Sequence, residues 1–288
     1  MALLEAIETR RLCGDGAIRA PLQERGAPAD GCLEALCISS PETVREIHAD
    51  YVKAGAQIIR TNTFGANAVQ LRPHGLSNRV NEINWQAAQL ARQAAKDAFV
   101  AGSVGPLGIS SSDAEHQCVD REDCFRTQIG ALLEGGVDLV FFQTFQDIDE
   151  LLVALHVKQS LHHCPAICSL ATRDDGLVSG SVSLEVAFEK LVRHDAEILG
   201  VNCIDGPEVI LRLVERLPPS ELPLAVYPNA GVPRHFRDCS GQALSTEVFA
   251  RLGVSLAERG VQIIGGGCGT TPAHIAALSK ALADLDIE

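Results

Sequence analysis

Eight short apolar runs alternate with amphipathic helical segments, and this alternation constrains the fold more than any other feature. The runs lie at residues 11–13, 57–61, 99–104, 139–143, 166–170, 198–201, 224–227 and 262–264. Between them, apolar side chains recur at helical spacing, as in 43–54 and 246–259. Such alternation indicates parallel strands joined by crossover helices. Eight strands predict a single-domain (βα)8 TIM barrel of the α/β class.

The length and net charge of the chain further limit the fold and the partners it can have. The chain has 288 residues, close to the roughly 250 that such a barrel needs, so we predict one domain over 1–288. No G-x-G-x-x-G follows the first strand, which disfavours a dinucleotide-binding fold. A net charge of −13 argues against nucleic acid and anionic membrane as partners. Without a membrane-length apolar stretch or a signal-peptide core, we expect a cytoplasmic protein.

Polar residues follow most of the strands, and in such a barrel these strand ends converge on one mouth. The candidate substrate contacts are Asp15, the backbone of Gly16 and Ala17, Asn62, Thr63, Ser103, Gln143, Asn202 and Asn229. The alternative for any one of them is a strand end that simply meets solvent. The presence of polar residues at so many strand ends favours a site for a small molecule.

Two strands deliver a thiol at their carboxyl ends. Cys203 follows the run 198–201, and Cys268 lies in a glycine turn before a helix that begins at Thr271-Pro272. Two thiolates suit zinc, which would leave a place open for an external thiol and remove its proton. The resulting thiolate can attack a methyl group on a sulfonium, an ammonium or a corrin cobalt. The alternative is a pair of packed strand cysteines.

Several motifs resemble those of homocysteine S-methyltransferases, in order and over nearly the whole chain. They are Gly-Asp-Gly-Ala at 14–17, the segments 41–48 and 54–67, Ala-Gly-Ser-Val-Gly-Pro-Leu-Gly at 101–108, Gly-Val-Asn-Cys at 200–203, Tyr-Pro-Asn-Ala-Gly at 227–231, and Gly-Gly-Gly-Cys-Gly-Thr-Thr-Pro-Ala-His at 265–274. The resemblance implies a (βα)8 barrel, zinc as cofactor, and methyl transfer from an onium or methylcorrinoid donor to homocysteine. It also implies a small-molecule thiol and methyl donor, with a corrinoid or reductase chain as a further partner.

Two positions depart from the family pattern. The family binds zinc through three cysteines, of which Cys203 and Cys268 match the first and last, whereas the middle one corresponds to Gly267. Gln143 stands where the family carries a glutamate that helps to hold the ammonium of homocysteine.

These departures leave two hypotheses open. In the first, Cys239 or His235, from the loop after the seventh strand, supplies the missing zinc ligand; separately, Gly267→Cys is expected to create or tighten a zinc site if the barrel keeps the family geometry. In the second, the chain is a diverged member without zinc, which uses another methyl acceptor or acts as a ligand-binding or regulatory protein.

Overall fold

The structure is a computed structural model that describes residues 2–172, 176–178, 182–204, 206–217, 220–231 and 244–285. Within these residues, eight parallel strands occur in one sheet. They are β1 Leu12–Cys13, β2 Ile58–Arg60, β3 Phe99–Val104, β4 Leu139–Phe145, β5 Ala166–Leu170, β6 Ile198–Asn202, β7 Leu224–Tyr227 and β8 Ile263–Ile264. Every predicted apolar run therefore overlaps a strand, and β4 and β6 extend beyond the predicted runs by two residues and one residue.

The sheet closes on itself. From β2 to β8, each strand pairs in parallel with the next strand in the chain, and β8 pairs with β1. At the remaining seam, Gly14 bridges to Ile58 of β2, and the Asp15 backbone N–H donates to the Ile58 carbonyl at 2.9 Å. A second hydrogen bond joins the same two strands, from the Gln57 N–H to the Cys13 carbonyl at 2.7 Å. The predicted single-domain (βα)8 TIM barrel is confirmed.

Helices surround the barrel and cover one of its ends. In the described part of the chain they are α1 Leu3–Thr9, α2 Arg19–Glu24, α3 Leu36–Ser39, α4 Pro41–Lys53, α5 Ala68–Leu71, α6 Val80–Ala95, α7 Ser111–His116, α8 Arg121–Glu134, α9 Ile148–Leu161, α10 Leu184–Arg193, α11 Pro207–Arg216, α12 Thr246–Glu258 and α13 Pro272–Leu285. Short 3-10 turns, Arg72–His74 and Ser77–Arg79, lie between α5 and α6. None of the helices described is long and apolar enough to cross a membrane.

The barrel interior is a packed apolar core at one end. Strand residues such as Ile58, Phe141 and Ile263 form one buried cluster with Leu3 and Ile7 of α1, so this helix covers that end of the barrel. The larger core cluster contains strand residues together with the apolar faces of the helices. The other end of the barrel is therefore the one that stays open to a ligand.

The polar mouth arises from the same strand register. Successive side chains of a strand point to opposite faces, so residues two positions apart share a face. Two residues beyond the apolar positions 58, 101, 141 and 167, the chain carries Arg60, Ser103, Gln143 and Ser169. The alternation that fills the interior with hydrocarbon thus places polar groups at the carboxyl ends of the strands.

Candidate active site

A cavity of about 410 Å³ lies at the carboxyl ends of the strands. Its described lining comprises Asp15, Gly16, Ala17, Ile18, Arg19, Leu33, Glu34, Arg60, Thr61, Asn62, Thr63, Phe64, Ser103, Gln143, Thr144, Asn202, Cys203, Gly266, Gly267 and Cys268. Most of the residues predicted from the sequence are therefore brought to one cavity, at the end of the barrel where such folds carry their active sites.

The two predicted thiols meet in this cavity. The side chains of Cys203 and Cys268 are hydrogen-bonded to each other, and this bond is the main cause that lowers the pKa of Cys203 below its ordinary value of 9.0. Burial opposes the shift, whereas hydrogen bonds from Thr144 and Asn202 and the charge of Arg60 add to it. Cys203 is therefore biased toward the thiolate, the form that binds metals and attacks carbon.

Cys203 and Thr144 have strained backbone conformations near the ends of β6 and β4. Its φ is 57°, and that of Thr144 is 62°, so both lie in the left-handed region that non-glycine residues seldom adopt. Asn202 ties them together: its Nδ2 donates to Thr144 Oγ1 at 2.7 Å, and its Oδ1 accepts from the Thr144 N–H at 2.8 Å. Ser169 Oγ donates to the same oxygen at 2.8 Å. Strain of this kind costs about 1–3 kcal/mol per residue, and the Asn202 network holds both residues in place.

Hydrogen bonds hold the turn that carries Cys268 in position. Asn229 Oδ1 accepts from the Cys268 N–H at 2.8 Å, and the Cys268 carbonyl accepts from the Ala230 N–H at 2.9 Å. Thr270 Oγ1 donates to the Gly267 carbonyl at 2.7 Å, just before α13 begins. Asn229 thus has a positioning role behind the thiol.

Gly267 lies in a space that the protein has already filled. A Cβ added to this residue would overlap Asn229 Oδ1 and would lie 2.9 Å from the Tyr227 carbonyl oxygen and 3.1 Å from that of Pro228. The first two approaches are closer than Cβ contacts in proteins, the third is tight, and two of the three atoms are backbone. A side chain at the position of the family's middle zinc ligand therefore requires Asn229 and the neighbouring backbone to shift.

This packing changes the expectation for Gly267→Cys. We expect Gly267→Cys and the matched variant Gly267→Ala each to lower the free energy of unfolding by about 1–3 kcal/mol, since both overpack the same space. The measurement is denaturant unfolding of the three proteins side by side, with zinc titration of each. Unchanged stability in both variants would mean that the turn adopts a different path.

Zinc chemistry needs more donors than the described residues supply. Catalytic zinc sites use three protein ligands, and Cys203 with Cys268 provides two. Among the residues that the structure describes, no group of three His, Cys, Asp or Glu side chains is placed to hold a metal ion. The predicted substitutes His235 and Cys239 fall in 232–243, outside the described residues. The described donors alone therefore do not fit a catalytic zinc ion.

Arg60 lies on the cavity wall and was not among the predicted site residues. Its side chain is 11% exposed, and its guanidinium lies over the Tyr227 ring at 4.6 Å. Its side-chain N–H groups donate to Asp15 Oδ1 at 2.7 Å, Gly16 O at 2.8 Å, Gly266 O at 2.9 Å and Gln143 Oε1 at 3.0 Å. A charged residue two positions after Ile58, within an apolar run, is the signal that could have found it.

Several other predicted contacts use their polar atoms within the protein. The Ala17 N–H donates to Thr270 Oγ1 at 3.0 Å. Asn62 Nδ2 donates to the Leu33 carbonyl at 2.7 Å, and Thr63 Oγ1 donates to the Ser103 carbonyl at 2.7 Å. These residues form the cavity wall and hold its loops in position.

Comparison with known proteins agrees with this architecture. The family model of homocysteine S-methyltransferase matches residues 12–282. The homocysteine methyltransferase MmuM from Escherichia coli, in its metallated form, superposes with a TM-score of 0.78 at 28% identity, over 96% of this chain and 98% of that one. Methionine synthase of Mycobacterium tuberculosis is 27% identical over 98% of this chain, and that of Mycobacterium leprae is 28% identical over 98%.

The family match and the eight-stranded parallel barrel place the chain among methyltransferases built on a (βα)8 barrel. The chain belongs to the homocysteine S-methyltransferase family, whose model matches nearly all of it. It spans 25% of the length of each mycobacterial methionine synthase.

Proposed function

We propose that this protein is an S-methyltransferase that moves a methyl group from an onium or methylcorrinoid donor to a small thiol. Homocysteine is the acceptor to test first because the family is defined by it. The observation that carries the proposal is the hydrogen-bonded pair Cys203 and Cys268 on the wall of a cavity of about 410 Å³. The proposed location is cytoplasmic.

The reaction forms one bond and breaks another. The acceptor thiol gives its proton to solvent water at the open mouth, and its sulfur forms a bond to the methyl carbon. The bond between that carbon and the sulfur, nitrogen or cobalt of the donor breaks, and its electron pair leaves with the donor. In this proposal the thiol pair holds the acceptor sulfur at the mouth, and Thr144 and Asn202 hold Cys203 in place. The half-enclosed cavity positions the two reactants together, which is a large part of the acceleration of any bimolecular transfer.

We further propose that zinc activates the acceptor thiol. This activation requires a third ligand from 232–243, where His235 and Cys239 lie, because Gly267 supplies none. The steps above use the chain's own residues and do not depend on this ligand. We also propose a corrinoid-bearing or reductase chain as a partner of this protein.

A second candidate is a diverged member that works without zinc, with another methyl acceptor or as a ligand-binding protein. The observation in its favour is the packing around Gly267, where a side chain would require Asn229 and backbone neighbours to shift. The two candidates differ in metal content and in the acceptor they use.

The test is metal analysis of the purified protein, followed by methyl-transfer assays with homocysteine and with other small thiols. The donors are S-methylmethionine, S-adenosylmethionine, betaine and methylcobalamin. Methyl transfer with about one zinc per chain, lost in Cys203→Ser, supports the first candidate. Transfer by a zinc-free protein supports the second. Absence of transfer to any thiol from all four donors would refute the enzymatic proposal.

A further inference from the structure

We propose that Gln128 of α8 is a positioning residue for the proposed methyl transfer. It is not among the described residues that line the cavity, and it acts through the loop after β2 and through Ser103 on the side chain of Gln143. The inference rests on the proposed function and concerns the wall of the cavity that faces the acceptor thiol.

Gln128 reaches the loop after β2 from the outer layer of helices. Its side chain is fully buried, and its Nε2 donates to the Thr63 carbonyl at 2.8 Å. The Ala66 N–H donates to the same carbonyl at 3.0 Å. Thr63 and the next residue, Phe64, both line the cavity. The orientation of the peptide group between these two residues is therefore set in part by an amide on α8.

Two threonine hydroxyls transmit this position to Ser103 of β3. Thr63 Oγ1 donates its only hydrogen to the Ser103 carbonyl at 2.7 Å. It therefore accepts the hydrogen bond that joins it to Thr61 Oγ1, at 2.6 Å. Thr61 Oγ1 in turn accepts from the Ser103 N–H at 2.9 Å. Since the end of β2 holds both backbone polar groups of Ser103, a displacement of Thr63 displaces Ser103 as well.

Ser103 orients Gln143 on the cavity wall. Gln143 Nε2 donates to Ser103 Oγ at 2.7 Å, and Gln143 Oε1 accepts from Arg60 Nη1 at 3.0 Å. By its resemblance to the family, Gln143 is a proposed contact for the ammonium of homocysteine. One continuous set of hydrogen bonds therefore links Gln128 to a proposed contact of the acceptor.

Space filling alone does not account for an amide at position 128. Gln128 Oε1 has no hydrogen-bond partner among the described residues, and a buried amide oxygen without a partner is unfavourable. A methionine of similar size would avoid this cost and would leave the Thr63 carbonyl with the Ala66 N–H as its partner. We therefore expect Gln128→Met to keep the stability of the fold and to loosen the hydrogen bonds that orient Gln143.

The experiment compares Gln128→Met with Gln89→Met, a matched variant that removes the same kind of bond elsewhere. Gln89 Nε2 donates to the Gly135 carbonyl at 2.9 Å, and neither residue is among the described residues that line the cavity. Calorimetric titration with homocysteine under reducing conditions is expected to show about tenfold weaker binding by Gln128→Met. KM for homocysteine should rise by a similar factor while kcat stays nearly the same. Gln89→Met should bind homocysteine as the wild-type protein does, and the midpoint of denaturant unfolding should not fall in Gln128→Met.

Gln128→Glu is the conservative variant that can rescue the bond. Its carboxyl group can donate to the Thr63 carbonyl when it is protonated and cannot when it is ionised. Burial raises the pKa of a glutamate, so the affinity of this variant for homocysteine, relative to the wild-type protein, should recover as the pH is lowered. Gln128→Met should stay impaired at every pH.

Wild-type affinity in Gln128→Met would overturn the inference, as would an equal loss of affinity in Gln89→Met. A lowered unfolding midpoint in Gln128→Met, without recovery of Gln128→Glu at lower pH, would show a merely structural role. If Gln128→Met does not fold, the pH dependence of Gln128→Glu decides alone. No binding of homocysteine by the wild-type protein would also overturn the inference. The expected loss of binding in Gln128→Met, without methyl transfer by the wild-type protein, would instead refute the proposed function, so the two failures are distinguishable.

Discussion

Replacing Cys203 by serine is expected to lower kcat/KM for methyl transfer by at least about a hundredfold. Loss of even an outer hydrogen-bond partner of a metal ligand costs about 10–100-fold in metal affinity or activity, and Cys203 is in the cavity itself, with a lowered thiol pKa. A serine hydroxyl keeps the shape but neither ionises in this range nor binds soft metal ions. The measurement is steady-state kinetics with the best donor and thiol from the assays above.

The matched control for this prediction is Cys118→Ser, because Cys118 is exposed on the surface. Its kinetics should equal those of the wild-type protein. Cys268→Ser should lose activity as Cys203→Ser does, since it removes the partner that most lowers the pKa of Cys203. Full activity in Cys203→Ser would show that the thiol pair has no part in the mechanism.

Asp15→Ala is expected to lower the free energy of unfolding by about 3–5 kcal/mol. Removing one partner of a buried ion pair leaves the other charge without compensation, and such losses have this size. The side chains of Arg60 and Asp15 are 11% and 5% exposed and are joined at 2.7 Å. Denaturant unfolding followed by circular dichroism measures the change.

Two comparisons separate the charge effect from simple loss of packing. Glu82→Ala breaks an exposed pair with Arg79, in which Glu82 is 53% exposed, and should cost no more than about 1 kcal/mol. Replacing both charges, in Asp15→Ala with Arg60→Met, should recover much of the loss because no unpaired charge remains. A loss below about 1 kcal/mol in Asp15→Ala would show that Arg60 does not depend on this carboxylate.

The strands could be predicted because their signal is local. Each apolar run is short, is preceded or followed by a helical pattern, and needs no knowledge of its neighbours in space. The helix α1 Leu3–Thr9 was not predicted, since seven residues are too few to show a clear period. Its role of covering one end of the barrel depends on contacts with strand residues far along the chain.

The candidate site was predictable to a similar extent. Parallel strands bring their carboxyl ends together, so the polar or thiol-bearing ends of seven strands or their loops could be placed at one mouth before any coordinates. Cys203 and Cys268 do lie together. Their role as zinc ligands stays a prediction, as do the roles of the substrate contacts and the extent of the domain over 1–288.

The sequence by itself determined the alternation of strands and helices, the end of the barrel that carries chemistry, and the two thiols. Only the tertiary structure decided which polar groups have partners. Whether Gly267 can be replaced depends on Asn229 and on two carbonyl groups from another strand end. Which groups hold Asp15 and Gln143 depends on where the Arg60 guanidinium lies. Such contacts join residues that are far apart in the chain, and a linear pattern carries no record of them.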